Sequence, residues 1–238
     1  AALSSVAPLA WSDGLAQAAQ AHTDLMKSQD AQEHQLPGEA GVGDRITAAG
    51  YSWSSYGENI FAYAESMEHG HAGFVIDWGY EPDGMQTGRG HRASIMNAGF
   101  VEVGIGHATD NDPATAVGPH LITHDFGSSF GYSAQFLGVV INDADDDSFY
   151  DLGEGLGGVT ISLSGSAGNY STTSWASGGW QISVPPGNYQ LTFSGGALPS
   201  AIVKMATLGT ANVKVDAIYD PSAAGVPTAG NDNLVGTA

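Results

Sequence analysis

The sequence predicts an α/β fold class for its first part, an α-β-α sandwich, followed by a small all-β sandwich, and three observations carry that expectation. Helical periodicity alternates with β-type runs up to about residue 130. After Gly131 it disappears, and short β runs follow one another between Gly, Pro, Asn and Ser. The chain has 238 residues and is 42% hydrophobic, enough to fill two ordinary cores. The expected divisions are 1–133, 134–220, and a linker-like tail over 221–238.

The first helix is expected from Ser12 or Asp13, either of which can cap it. Leu15, Ala18, Ala19, His22, Leu25 and Met26 then recur at i, i+3, i+4 and i+7 as one buried stripe. A short helix is expected over Asp44 to Ala49, with Gly50 suited to a left-handed stop. From Ser66 to Trp78 the spacing places Met67, His71, Phe74, Val75 and Trp78 on one helical face, and Pro82 sets its end near Glu81. Two β-type runs, Phe100 to His107 and His120 to Phe126, flank a polar turn and predict an antiparallel hairpin. In the second part, strands are expected at Phe136 to Ile141, Val159 to Ser164, Gly179 to Val184, Tyr189 to Phe193 and Ala211 to Tyr219.

Six basic residues stand against 25 acidic ones, giving a formal net charge of -19. Such a surface repels phosphate backbones and anionic lipid, so no nucleic acid and no membrane surface is expected as a partner. No run approaches the length of a membrane span, and the chain opens at Ala1, as a processed or trimmed protein would. With no cysteine, a metal must be held by carboxylates, carbonyls or imidazoles.

Four residues stand out because each is placed where an expected helix or strand gives way to loop: His34, Glu58, Glu81 and His91. Two imidazoles and two carboxylates form either a divalent-metal set or an acid/base set. The other histidines carry less weight: His22 lies on the buried stripe, His69 and His71 suit the rim of a cleft, and His107, His120 and His124 lie on or near strands. There is no Gly-x-Ser-x-Gly elbow for a serine hydrolase.

The surroundings of these four residues are more specific. Trp11 with the first-helix stripe, His34, Arg45 with Ala48-Ala49-Gly50-Tyr51, Gly57-Glu58-Asn59-Ile60, Trp78, Gly90-His91-Arg92 and Gly104-Ile105-Gly106 occur in an order that resembles the CAP superfamily of cysteine-rich secretory, antigen 5 and pathogenesis-related 1 proteins. The resemblance is to a cysteine-free bacterial member and spans roughly residues 1–130. It implies a CAP-like α-β-α sandwich whose cleft is lined by His34, Glu58, Glu81 and His91. The two histidines would hold Zn2+ or another divalent ion, with Glu58 and Glu81 as the acids and Asp77 as the substitute for Glu81. The same tetrad could instead brace the cleft by hydrogen bonds alone. A metal held this way keeps open coordination positions and is lost as the imidazoles protonate in acid.

Within the run from Asn142 to Glu154, the twelve-residue loop that starts at Asp143 has acids at positions 1, 3, 5, 9 and 12, and Asp146 adds a sixth. That spacing is suited to Ca2+, with Asp143, Asp145, Asp147, the Phe149 carbonyl, Asp151 and Glu154 as ligands. Without a cation its six carboxylates repel one another. Ser148 occupies the position that usually holds Gly, and the flanks are strands. The loop and the downstream Gly157-Gly158-Val159-Thr160-Ile161 resemble the B-type repeats of bacterial surface adhesins. Further on, Ala229-Gly230-Asn231-Asp232-Asn233-Leu234-Val235-Gly236-Thr237 resembles the opening of an RTX-type repeat, which implies type I secretion.

Taken together, these features lead us to expect a secreted CAP-domain protein. Its cleft would bind a divalent metal and a small or lipid-like ligand, on a calcium-stabilised β module that meets an unknown extracellular ligand or surface partner. The competing expectation is a metal-dependent extracellular hydrolase of peptides or esters, with Glu58 or Glu81 as general base. Neither the substrate nor the oligomeric state is readable from the chain.

Overall fold

The computed structural model describes residues 4–221, and the chain forms two compact units, Ala1–Ser133 and Ala134–Ala238. The RTX-like segment Ala229 to Thr237 and most of the tail lie outside the described residues. The expected class needs correction. The described chain is mostly β, 37% strand and 18% helix in three sheets, so the expected α/β class with an α-β-α sandwich does not hold. The helical signals in the sequence are real, but three of the four helices have ten residues or fewer. The strands, by contrast, extend beyond their apolar runs.

In the first unit, β1 (Ala10–Trp11) leads into α1 (Asp13–Gln29), and α2 (Val42–Ala48) precedes β2 (Trp53–Ala64). The helices α3 (Met67–Ile76) and α4 (Gly90–Ile95) precede β3 (Glu102–Thr109) and β4 (His120–Ser129). One sheet has the order β1-β3-β4-β2, which leaves β2 at an edge. The expected hairpin is the antiparallel β3–β4 pair, with Val103 opposite Phe126.

The Ser12 hydroxyl accepts the Leu15 N–H and caps α1, whose buried residues include Leu15, Ala18, Ala19, His22 and Met26. α1 lies unusually close to the sheet. A Cβ on Gly104 would come within 1.9 Å of the Ala16 nitrogen, and one on Gly106 within 2.4 Å of the Ala19 carbonyl, so only glycine lets the helix backbone approach. Thr23 Oγ1 donates to Thr123 Oγ1 across this contact at 2.8 Å.

α3 differs from its expectation at both its face and its end. Its buried residues are Gly70, Gly73 and Phe74, while His71 and Trp78 are exposed. Small residues carry the tight contact there, and they leave no hydropathy signal. The helix stops at Ile76, not near Glu81, because Asp77 turns into the left-handed region at φ 65. Residues 77–86 then fold back on themselves, with Gln86 N–H donating to the Asp77 carbonyl at 2.7 Å and Trp78 bridged to Met85.

The second unit holds β5 (Gln135–Asn142), β6 (Thr160–Gly165), β7 (Gly168–Thr173), β8 (Gly179–Ser183), β9 (Gly187–Ser194), β10 (Ile202–Leu208), β11 (Val213–Lys214) and β12 (Ala217–Tyr219). One sheet runs β10-β9-β6-β7, and the other runs β11-β5-β12 with β8 also on β5. Alternation places Ile161 and Leu163 of β6 and Tyr189, Leu191 and Phe193 of β9 inward, against Phe136, Val140 and Trp180. At roughly 1.5–3 kcal/mol for each large apolar side chain, this shared core is the main stabilising term. The run expected as one strand over Ala211 to Tyr219 is broken in two, and Asp216 at the break accepts the Val139 N–H.

Candidate metal-binding cleft and acidic loop

The edge strand β2 organises the cleft. Successive residues of a strand point to opposite faces, so Glu58 and Asn59 leave β2 on different sides. Glu58 lies opposite Asp125 of β4, on the side that faces α1. Asn59, opposite His124, reaches the other side, where its Nδ2 donates to the His91 carbonyl at 3.0 Å.

Each cleft histidine is fixed by a carboxylate. His34, in the loop after α1, places Nδ1 2.8 Å from Glu58 Oε1. His91, the second residue of α4, places Nδ1 2.7 Å from Asp77 Oδ1, and Asp77 Oδ2 also accepts the His91 backbone N–H. A carboxylate facing Nδ1 holds the proton there and leaves Nε2 with a free lone pair.

Of the four residues expected to line the cleft, the structure thus pairs His34 with Glu58 and His91 with Asp77. Glu81 does not join them: it is exposed in the 77–86 loop, and its Oε1 accepts from Thr87 Oγ1 at 3.1 Å. The left-handed turn at Asp77 explains this, because it brings Asp77 under His91 and sends the following residues outward. Glu58 also departs from its expected setting, since it lies within a twelve-residue strand and not at a boundary.

Behind the cleft lies a buried polar network that the sequence did not announce. Arg45 donates to Glu58 Oε2 and, at 2.9 Å, to the His34 carbonyl; its Nε lies 3.4 Å from Glu39 Oε1. His22 Nδ1 contacts the same Glu39 oxygen at 2.8 Å. Burial alone would raise the Glu58 pKa, but the His34 hydrogen bond and the Arg45 charge outweigh it and hold Glu58 below the ordinary carboxylate range.

Asp125, fully buried opposite Glu58, has no N–H or hydroxyl donor. Burial, then the Glu58 charge, pushes its pKa up to about 8. It therefore holds a proton at neutral pH and can donate it toward Glu58. On the other face, burial and then the neighbouring His71 and His91 push His124 down to about 3, so it stays neutral. An acid inside a β run reads as solvent-facing, and only the β2–β4 register reveals Asp125 as part of the site.

In the second unit, carboxylate oxygens of Asp143, Asp145 and Asp147 lie within 4.8 Å of one another. This is the only group of three or more potential His, Asp or Glu ligands that converges among the described residues. Asp143 accepts the Asp147 and Ser148 N–H groups at 3.1 Å, and Glu154 accepts those of Ala144 and Asp151. Asp146 and Ser148 take φ of 64 and 62, so Ser148 makes the turn in a conformation usual for Gly. Phe149 is exposed, and its N–H donates to Asp147 Oδ1 at 2.7 Å. The Asp145 pKa is raised by desolvation, then by the charges of Asp147, Glu154 and Asp151.

The first unit thus carries two imidazoles, each anchored by a carboxylate, about a four-stranded sheet, and the second carries an acidic loop. The family described as "CAP: Cysteine-rich secretory protein family" matches residues 2–120, and the chain belongs to it, although it contains no cysteine. Among solved structures, the chain is similar to an extracellular protein containing a SCP domain from Bacillus anthracis str. Ames. The identity is 23%, with 52% of this chain and 35% of that chain covered, at a TM-score of 0.41. An outer surface protein from Borrelia burgdorferi shares 13% identity, with 52% and 80% covered, at a TM-score of 0.42. The match therefore spans about a third of the first of these two proteins. No curated protein matches the chain. Among the described residues no helix is long and apolar enough to cross a membrane.

Proposed function

We propose that this chain is a secreted CAP-domain protein. Its cleft would bind a divalent ion through the Nε2 atoms of His34 and His91, over the free edge of β2, and take up a small or lipid-like ligand beside it. The second unit would be a calcium-stabilised module that presents the cleft to an extracellular partner. One observation carries this reading: each imidazole has its Nδ1 anchored by a buried carboxylate, which leaves Nε2 for a ligand. The two residues suit zinc, which accepts imidazole nitrogen readily and would supply a Lewis-acid centre with open positions. Arg45 keeps Glu58 ionised, and Asp77 performs the same orienting role for His91.

In the acidic loop, Asp143, Asp145, Asp147, the Phe149 carbonyl, Asp151 and Glu154 would hold Ca2+, whose preference for carboxylate and carbonyl oxygen fits this donor set. Export is in keeping with the family's description. Hydrolysis is less well supported. Each Glu58 oxygen already accepts one bond, from His34 or from Arg45, and the lowered pKa of Glu58 makes it a weak base toward water.

Calorimetric titration of the metal-free chain with Zn2+ tests the cleft reading. Binding at one site outside the acidic loop, weakened about tenfold or more by His34→Ala and by His91→Ala, is the expected result. Zinc affinity unchanged in both variants would remove it.

A further inference from the structure

Beside His91 lies a cavity of about 380 Å3, formed by β2, α3 and the 77–86 loop. Its volume lies within the range of small-molecule sites, about 300–1,000 Å3. Aromatic rings dominate the lining: Phe61, Tyr63, Phe74, Trp78 and Tyr80 all contribute. Tyr80 is fully exposed, and Tyr63 and Trp78 are partly so, which leaves their ring surfaces open to a ligand. His69 packs against Trp78 at 4.7 Å between ring centroids and steadies the indole.

Two carboxamides are set among these rings, each half used. Gln32 Oε1 accepts the Ala62 N–H of the β2 edge at 2.7 Å, which orients its Nε2 and leaves it to donate. Gln86 Nε2 donates to the Trp78 carbonyl at 3.0 Å, which leaves its Oε1 to accept. These two bonds also fix which end of each amide is oxygen, so the site offers one defined donor and one defined acceptor.

No Lys, Arg, Asp or Glu lines the cavity among the described residues, so its walls offer a charged ligand no carboxylate, ammonium or guanidinium partner. An acyl chain would require an enclosed apolar tunnel, but here the mouth is open at Tyr80 and the wall is interrupted by Gln32, Gln86 and His91. A sugar ring satisfies both features: its C–H face packs on an aromatic plane, and its hydroxyls pair with side-chain amides. We propose that this cavity binds a neutral carbohydrate ring, stacked on Trp78 and Tyr80 and held by Gln32 Nε2 and Gln86 Oε1. The proposal rests on the cleft being the functional face, and it names the ligand class for that face.

Saturation-transfer NMR on the full chain with millimolar cellobiose, chitobiose and maltose tests it. Transfer to ring C–H protons of at least one disaccharide is expected, with affinity lowered about tenfold or more in Trp78→Ala and in Tyr80→Ala. Tyr80 is fully exposed, so its replacement leaves the fold intact. Zinc titration of the same variants is expected to be unchanged. No transfer with any of the three sugars, transfer unaltered in both variants, or transfer to dodecanoate in place of the sugars would overturn the proposal. Sugar binding that persists while zinc binding fails would remove the metal reading alone.

Discussion

In the first unit the carboxylates around His34 and His91 are buried and each has a partner, whereas the acids of residues 143–154 in the second unit mostly face solvent and one another. Glu58 is held by His34 and Arg45, Glu39 by Arg45 and His22, and Asp77 by His91. Among the described residues, Asp125 is the buried acid without a donor, and it keeps its proton at neutral pH. In the loop, Asp143, Asp145 and Asp147 converge, and among the described residues no basic side chain is bonded to them. The difference shows two ways to manage negative charge. One unit neutralises its buried carboxylates with its own side chains, while the other leaves a deficit that a cation would fill.

That contrast breaks most visibly at Arg45. Removing one partner of a buried ion pair costs about 3–5 kcal/mol, so Arg45→Met is expected to lower the first unit's unfolding transition by that order. A loss below about 1 kcal/mol in denaturant titration would mean that water, not Arg45, compensates Glu58 and Glu39.

A smaller effect is expected at the loop. Calcium at a hundredfold excess over its Kd stabilises the folded state by about 2.7 kcal/mol, and this gain is expected in the second unit only. In the double variant Asp145→Asn with Asp147→Asn the gain is lost, while the metal-free form becomes more stable because repulsion is relieved. Scanning calorimetry with calcium and with chelator reads both signs.

The pH profile sharpens the comparison further. Asp125 is raised in the folded state to about 8 from an ordinary 3.8, so between those values the native chain binds the extra proton. Stability from this group is full in acid and is lost as pH rises toward about 8. His124, lowered to about 3 from 6.5, acts in the other direction, contributing above pH 6.5 and losing its contribution as pH falls toward 3. Relative to the parent chain, Asp125→Asn is therefore expected to remove the fall in stability between about pH 4 and 8, and to leave the slope above pH 8 unchanged. At the small end, Lys214→Ala removes an exposed pair with Asp216 and is expected to cost no more than about 1 kcal/mol.

The first helix was legible because its stripe and its Ser12 cap agree, and the β3–β4 hairpin because apolar runs bracket a polar turn. The convergence of Asp143, Asp145 and Asp147 could be read from spacing alone, since the three alternate along one short segment. Less local features were hidden. β7 is polar along its length and β10 exposes Val203 and Met205, so neither has the alternation that marks a strand. β2 continues through Gly57-Glu58-Asn59 because β4 pairs with it from more than sixty residues away. The exchange of Glu81 for Asp77 depends on one left-handed residue that no periodicity encodes. Asp125 became visible only through its register opposite Glu58.

The central claim, that two carboxylate-anchored imidazoles share one ion over the edge of β2, is tested most directly by anomalous diffraction at the zinc absorption edge from crystals of the full chain grown with Zn2+ and Ca2+. The account predicts a zinc peak within bonding distance, about 2.0–2.1 Å, of both His34 Nε2 and His91 Nε2. A cleft with no peak, or a zinc bound to only one of the two rings, would contradict it.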